Sequence, residues 1–243
     1  MRGFFARANQ YGFETDVFDK YRDVVRKTNR EAVLVLSITG IATAIAMIVF
    51  GLVTKQPMEG LAYCIVLLTA GIIGTAVTLR KEVSGGGVLA AGYCVTVALY
   101  MISIYGTMIM KTDAFWIGTQ VAVGCYLLDY AWRIGLLQIL SYAALNAVWH
   151  LSGVPVNGQR LLFSIVFLVV GLVTFYTMNR TRAGLIAGRE ESRKAADTDM
   201  LTGLTARIAA QQEIEEHMKT DDHGVLMLLN LDRFKNVNDR LGH

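Results

Sequence analysis

The uneven distribution of charged residues constrains this chain more than any other feature of its sequence. Residues 32–179 hold only 10 of the Lys, Arg, Asp and Glu residues, although the 243-residue chain has 23 basic and 20 acidic ones. A water-soluble domain of that length would carry many more charges at its surface. The sequence therefore excludes a disordered or fibrous chain and predicts that this middle region lies in a lipid bilayer.

Six apolar stretches divide the middle region. A bilayer core about 30 Å thick requires about 20 apolar residues per helix. Stretches that reach or approach this length are residues 32–54, 60–79, 88–110, 114–128, 134–151 and 161–178. The fourth is short and lies between Asp113 and Asp129, which leaves open a thin span or half of a re-entrant pair with the fifth. We predict a mainly α fold with a six-helix transmembrane domain at residues 32–178.

The positions of the basic residues predict how these spans are oriented. With the N-terminus in the cytoplasm, 15 Lys and Arg residues fall in inner segments and three fall in outer loops. This asymmetry is the one that cytoplasmic loops of membrane proteins show. We therefore predict a multi-pass protein of the bacterial inner membrane with both termini in the cytoplasm. Tryptophans at span ends, typical of an interfacial aromatic belt, agree with these boundaries: Trp116, Trp132 and Trp149.

The polar residues within the spans argue against transport chemistry. Ion-coupled transporters place ionisable groups at mid-membrane depth, whereas Asp129 and His150 lie at span ends. Gln120, Gln138 and Asn146 have two interpretations. They either line a ligand pocket or, as is more common in membrane proteins, form hydrogen bonds between helices.

Charged segments flank the predicted spans. Residues 1–31 form a cytoplasmic N-terminal segment, in which residues 15–30 have the pattern of an amphipathic helix at the inner membrane surface. Residues 179–196 predict a helical linker that continues from the sixth span. A parallel dimer stalk is the alternative for this linker, but no sustained heptad supports it.

The C-terminal region, residues 197–243, has the pattern of an α/β domain. A helix is predicted at 207–219, followed by the apolar run VLMLL at 225–229, which is typical of a strand buried on both faces. Polar residues crowd the end of that strand, where ligands bind in α/β domains.

Two motifs in this region follow a known pattern. Residues 199–207 read DMLTGLTAR and residues 230–243 read NLDRFKNVNDRLGH. They resemble the opening motifs of the diguanylate cyclase (GGDEF) domain, D-x-L-T-G-L-x-N-R and D-[ILV]-D-x-F-K-x-[IV]-N-D-x-x-G-H. The second motif is long enough to be specific.

The resemblance implies a fold, a reaction and a set of partners. The family has a palm-like α/β domain that binds GTP with Mg²⁺ and joins two GTP molecules into cyclic di-GMP across a homodimer. Paired carboxylates suit this reaction because they hold Mg²⁺ between the attacking hydroxyl and the α-phosphate. No nucleic-acid partner is expected, since the net charge of +3 includes no basic block.

The resemblance also assigns roles to individual residues. Asn238 corresponds to the asparagine that contacts guanine, and Phe234 and Lys235 correspond to the turn beside the phosphates. The backbone carbonyl of Leu231 corresponds to a metal ligand, and Asn230 occupies the position of the first metal-binding aspartate.

Departures from the pattern bear on activity. Asn230 lacks the negative charge that Mg²⁺ favours, although Asp232 lies close enough in sequence to replace it as a ligand. Ala206 replaces the asparagine of the first motif, and the sequence ends at His243 without a Gly-Gly-Asp/Glu-Glu-Phe segment. We therefore expect an incomplete, truncated GGDEF domain that is inactive as written.

The sequence is consistent with three classes of function. The first is a membrane-embedded signalling protein with a diguanylate cyclase-like output domain. The second is a non-catalytic membrane receptor whose degenerate domain binds a nucleotide or a partner, which Asn230 favours. The third, a transporter or channel with an incidental tail, is disfavoured by the lack of ionisable groups at mid-membrane depth.

Overall fold

A computed structural model divides the chain into two compact units. The first covers residues 1–190 and the second covers residues 191–243. Structure is described for residues 10–13, 17–55, 59–110, 113–124, 126–153, 156–198, 202–219, 223, 225, 227, 229, 232 and 239.

Helices account for most of the described structure. In chain order they are α1 (Val17–Lys20), α2 (Arg22–Thr54), α3 (Glu59–Leu79), α4 (Gly85–Met110), α5 (Ala114–Val123), α6 (Ala131–Leu151), α7 (Gly158–Ala196) and α8 (Arg207–His217). The described residues contain no strand, only an isolated antiparallel bridge between Thr198 and Thr205. The mainly helical prediction is therefore confirmed, whereas the palm-like sheet is not confirmed.

Five of the described helices are long and apolar enough to cross a membrane, namely α2, α3, α4, α6 and α7. Large apolar side chains cover much of their outer surface, and Ile38, Ile72 and Val173 each expose more than half of their area. Monomeric soluble proteins rarely expose contiguous apolar surface on this scale. Such a surface is suited to contact with hydrocarbon.

The fourth predicted span has a different structure from the other five. Helix α5 has 10 residues, which is about 15 Å at the rise of an α-helix and half of a bilayer core. Gly124 and residues 126–130 then continue without helical structure to the start of α6. We call residues 124 and 126–130 the connector. The count of six transmembrane helices is therefore not confirmed.

Glycines allow α2, α3 and α4 to approach closely. A Cβ added to Gly71 of α3 would lie 2.9 Å from the backbone oxygen of Ser37 in α2. A Cβ added to Gly92 of α4 would lie 2.8 Å from Val33 in α2 and from Leu127 in the connector. Small residues at such positions permit the tight helix packing that is common in membranes.

Val17 and Tyr21 of the N-terminal segment pack against protein, and the single helix predicted over residues 15–30 is interrupted at Tyr21. Helix α1 ends at Lys20, and Tyr21 leaves the helical conformation with φ −119° and ψ 36° before α2 begins. The buried side chains of Val17 and Tyr21 form a cluster with Ala183 of α7. The apolar face therefore contacts another helix, because α7 extends far enough to cover it.

The second unit contains the end of α7 and helix α8. The Ala206 N–H donates to the Asp197 carbonyl at 2.8 Å and closes the loop before α8. Val225, Met227 and Leu229 belong to the predicted buried strand, yet 74–95% of their surface is exposed. The buried strand is therefore not observed, since the described residues supply no neighbouring strand to cover it.

Candidate functional site

Residues 202–206 of the first motif form a tight turn before α8. Gly203 has φ +69°, a left-handed conformation that glycine adopts without steric cost. The Leu204 N–H donates to Thr202 Oγ1 at 3.4 Å, and the bridge between Thr198 and Thr205 closes the turn. The turn thereby connects α7 to α8.

The second motif lies largely outside the described residues. Of the predicted site residues, only Asp232 is described; it lies in a turn and is exposed. The other predicted residues fall outside the described part of the chain: Asn230, Leu231, Phe234, Lys235 and Asn238. No group of three His, Cys, Asp or Glu side chains that could hold a metal ion occurs among the described residues. The nucleotide and metal roles therefore remain predictions.

A second candidate site surrounds the connector in the first unit. Asn29 of α2 binds both backbone groups of Leu128. Its Nδ2 donates to the Leu128 carbonyl at 2.7 Å, and its Oδ1 accepts from the Leu128 N–H at 2.8 Å. Both residues are at most 2% exposed. One side chain therefore replaces the hydrogen bonds that a helix would have given this segment.

The buried carboxylate of Asp129 binds groups from two further helices. It accepts a hydrogen bond from the hydroxyl of Tyr93 in α4 at 2.7 Å and pairs with Arg133 of α6 at 3.2 Å. The Tyr11 hydroxyl donates to the Asp129 backbone carbonyl. Burial, and then the charge of Asp129, raise the pKa of Tyr11 far above its usual value, so its hydroxyl stays protonated as a donor.

Helix α7 binds the connector through two polar side chains. Asn179, fully buried, donates to the Gly124 carbonyl at 3.3 Å, and Arg182 donates to the Tyr126 carbonyl at 3.0 Å. Together with these two, the residues that hold the connector from outside are Tyr11, Asn29 and Tyr93. We call all five the anchor residues. None of the five was predicted from the sequence, although Asn29 and Asn179 lie beside the first and last apolar stretches, where a polar residue can signal such a contact.

A polar cluster lies inside the packed helices. Gln120 of α5 accepts hydrogen bonds from Tyr100 of α4 at 2.9 Å and from Ser141 of α6 at 3.1 Å. Gln138 donates to the Gln120 backbone carbonyl at 3.3 Å. The prediction that Gln120 and Gln138 bond between helices is confirmed, whereas Asn146 donates to Tyr142 within its own helix.

Two of the three tryptophans differ from the prediction of an interfacial belt. Trp116 and Trp149 are almost completely buried in one cluster with Tyr100 and Leu145. Trp132 is 57% exposed. Trp116 and Trp149 do not lie at an interface because α5 packs against α4, α6 and α7, which places Trp116 between these helices.

A cleft of about 230 Å³ lies between α2, α4 and α5. It has no charged lining residue, and the hydroxyl groups of its threonines and of Ser103 donate within their own helices, as Thr39 does to Val35 and Thr119 does to Phe115. Its lining residues are Leu36, Thr39, Thr43, Met47, Leu99, Ile102, Ser103, Phe115, Gly118, Thr119, Ala122, Val123 and Tyr126. Tyr126 therefore contributes to the cleft while its carbonyl accepts from Arg182.

An ion pair links the start of α5 to the start of α7. Asp113 Oδ2 lies 3.4 Å from Nε of Arg160, and the Arg160 guanidinium stacks over the Trp149 ring at 5.0 Å. Burial raises the pKa of the Asp113 carboxyl above its ordinary value of 3.8, and Arg160 opposes that rise.

The raised pKa of Asp113 predicts a pH-dependent stability. The folded chain binds the proton on Asp113 more tightly than the unfolded chain does. The stabilisation that this proton gives the folded state is therefore complete below pH 3.8 and is lost as the pH rises through the raised pKa. Thermal unfolding in detergent, measured across the acid range for the wild type and for Asp113→Asn, tests this. The unfolding midpoint of the wild type should fall relative to that of the variant as the pH rises, and a constant difference would contradict the assignment.

The geometry defines a helical protein with several long apolar helices, followed by a segment that carries the two motifs. Residues 196–243 match the family described as "Diguanylate cyclase, GGDEF domain". The resemblance noted from the motifs is thereby confirmed for this region.

One curated relative is informative about the extent of the similarity. The chain is 40% identical over 55 residues to "Uncharacterized protein YtrP" of Bacillus subtilis (strain 168). The alignment covers 23% of this chain and 10% of that protein. No solved structure matches the chain.

Proposed function

We propose that this chain is a membrane-embedded signalling protein with a diguanylate cyclase-like output region. The match of residues 196–243 to the GGDEF domain carries the proposal. Five long apolar helices support a place in the membrane. The proposed organisation has an N-terminal segment at 1–31, a sensor-like domain at 32–178, a linker at 179–196 and the output region at 197–243.

The contacts of α5 and the connector support a sixth membrane crossing. Asp113, before α5, pairs with Arg160 near the start of α7, and Gly124 bonds to Asn179 on the same helix. Asn179 lies 19 positions after Arg160, which corresponds to about 28 Å of helix. This length is close to the bilayer core of about 30 Å, so α5 and the connector together suffice for one crossing.

The distribution of basic residues supports a cytoplasmic location for both termini, in a bacterial inner membrane. Arg30, at the start of the first apolar stretch, donates to the carbonyls of Arg80 and Lys81 after α3. These basic residues therefore lie at the same end of the packed helices, which is the end that the anchor residues occupy.

The output region is proposed to bind GTP and Mg²⁺ and to act as a homodimer. Asn238 would contact guanine, and Phe234 and Lys235 would lie beside the phosphates. Asn230, the Leu231 carbonyl and Asp232 would face the metal, which neutralises phosphate charge when bound. With an amide at position 230 in place of the carboxylate, this 243-residue polypeptide is proposed not to form cyclic di-GMP.

Nucleotide binding tests the proposed metal role of position 230. Asn230→Asp should strengthen GTP binding by about tenfold in the presence of Mg²⁺, the scale seen when single groups at metal sites are changed. The added carboxylate supplies a charged oxygen ligand that Mg²⁺ favours. Binding is measured on the purified full chain with and without Mg²⁺, together with assays for cyclic di-GMP.

Asn236→Asp is the matched control, because it adds the same charge at a variable position of the motif. It should leave Mg²⁺-dependent GTP binding unchanged. Equal effects of the two variants would contradict a metal role for position 230, and cyclic di-GMP formed by the unmodified polypeptide would contradict its proposed inactivity.

A non-catalytic receptor is the second candidate, and Asn230 is the observation that favours it. Its degenerate GGDEF region would bind a nucleotide or a partner without turnover. GTP binding that is independent of Mg²⁺ in both the wild type and Asn230→Asp would support this function over the first.

A further inference from the structure

We infer that the connector couples the cleft wall to the part of α7 that leads to the GGDEF region. This relay depends on the proposed signalling function for its purpose, but its geometry lies entirely within the first unit. The connector joins the short helix α5 to α6, while side chains from the N-terminal segment, α2, α4 and α7 bind its backbone or Asp129.

The backbone of the connector is unusually dependent on side chains. Helical segments satisfy their own N–H and C=O groups. In the connector, by contrast, the carbonyls of Gly124 and Tyr126 accept from Asn179 and Arg182, and both backbone groups of Leu128 bind Asn29. A shift of the connector changes these bonds at several places together, because the three acceptors lie within five residues of one another. Buried groups of this kind are costly to leave unpaired, so the anchors move with the connector.

The cleft provides the input end of the relay. Five residues of α5 line the cleft, and Tyr126 of the connector lines it as well. The Tyr126 carbonyl is the acceptor for Arg182, so one residue contacts both the cleft and α7. One route from the cleft to α7 therefore runs through Tyr126 and one charged hydrogen bond.

Arg182 and Asn179 form the output end of the relay. They lie beyond the last apolar stretch of α7, next to Ala183, which packs against Val17 and Tyr21 of the N-terminal segment. Tyr11 packs on Phe175 and Tyr176 of α7 with ring centroids 6.0 Å and 5.5 Å apart. The connector and the N-terminal segment thus hold the same part of α7.

An apolar side chain introduced at the cleft wall tests the relay. A Cβ at Gly118 would meet no atom within 4 Å, so Gly118→Leu adds bulk to the cleft wall without a direct clash of its Cβ. Hydrogen exchange of the full chain in lipid nanodiscs is the measurement. We expect amide exchange in residues 179–190 to change by about fivefold or more, since local openings respond to lost contacts.

Two comparisons make the result decisive. Gly51→Leu, also in open space but outside the cleft, should leave exchange in residues 179–190 unchanged. In the background of Arg182→Met, which removes the bond to Tyr126, Gly118→Leu should have a much smaller effect on those amides.

The relay is overturned if the exchange changes caused by Gly118→Leu remain confined to α4 and α5. It is also overturned if Arg182→Met leaves the response of residues 179–190 intact. If Gly118→Leu does not fold, Tyr93→Phe replaces it, because this variant removes only the hydroxyl bound to Asp129. Tyr63→Phe is then the matched control, since Tyr63 stacks on Tyr105 away from the connector. None of these readouts involves a nucleotide, so failure of the relay and failure of the proposed function are distinguishable.

Discussion

Replacing Asn29 with leucine is expected to be among the most destabilising single changes in the first unit. Leucine leaves the buried N–H and C=O of Leu128 without their partner. Each orphaned group costs about 1–3 kcal/mol, and both are lost in the same variant. The free energy of unfolding, measured by denaturant titration in mixed micelles, should therefore fall by several kcal/mol.

Asn146→Leu is the matched control for this prediction. Asn146 donates to the Tyr142 carbonyl within α6, and that carbonyl keeps its place in the helix when the amide is removed. Asn146→Leu should therefore lower the free energy of unfolding by much less than Asn29→Leu does. Similar losses in the two variants would contradict a special role for the bonds between Asn29 and Leu128.

The long helices could be predicted from the sequence because hydropathy alone determines them. A stretch such as residues 60–79 has no charge and about the length of a bilayer core, so a helix is the structure that satisfies its backbone in lipid. The observed α3, α4 and α6 coincide with predicted stretches to within three residues at each end. Their packing partners required more than this local information.

The connector could not be predicted because its partners are distant in sequence. Residues 127 and 128 are leucines in an apolar stretch, and local reasoning extends the helix through them. In the structure α5 ends at Val123, and Asn29, 99 residues before Leu128, supplies the hydrogen bonds of the Leu128 backbone. Trp116 and Trp149 illustrate the same point, since lateral packing rather than position along the helix places them in the interior.

For the output region, the family could be predicted from the sequence, whereas the geometry of its site could not. Its identity depends on residue types at fixed spacing, which a linear motif records fully, and the family match over residues 196–243 confirms it. The arrangement of Asn230, Asp232 and Asn238 depends instead on how a strand and a helix meet. Linear spacing does not determine that geometry, so their shared site stays a prediction.

Replacing Gly71 with alanine is the second change for which we expect a large loss of stability. The new Cβ would lie 2.7 Å from Cγ1 of Ile41 and 2.9 Å from the backbone oxygen of Ser37. The side chain of Ile41 can rotate, but the backbone of α2 cannot move without disturbing its packing on α3. Overpacking of this kind typically costs about 1–3 kcal/mol, which should appear as a lower unfolding midpoint in detergent.

Gly51→Ala separates this clash from the effect of alanine on the helix itself. A Cβ at Gly51 meets no atom within 4 Å, and alanine favours an α-helix over glycine by about 1 kcal/mol. Gly51→Ala should therefore be neutral or stabilising, although it makes the same chemical change as Gly71→Ala. If both variants raised the unfolding midpoint, α2 and α3 would not be in close contact at Gly71, and the close approach of these two helices would have to be abandoned.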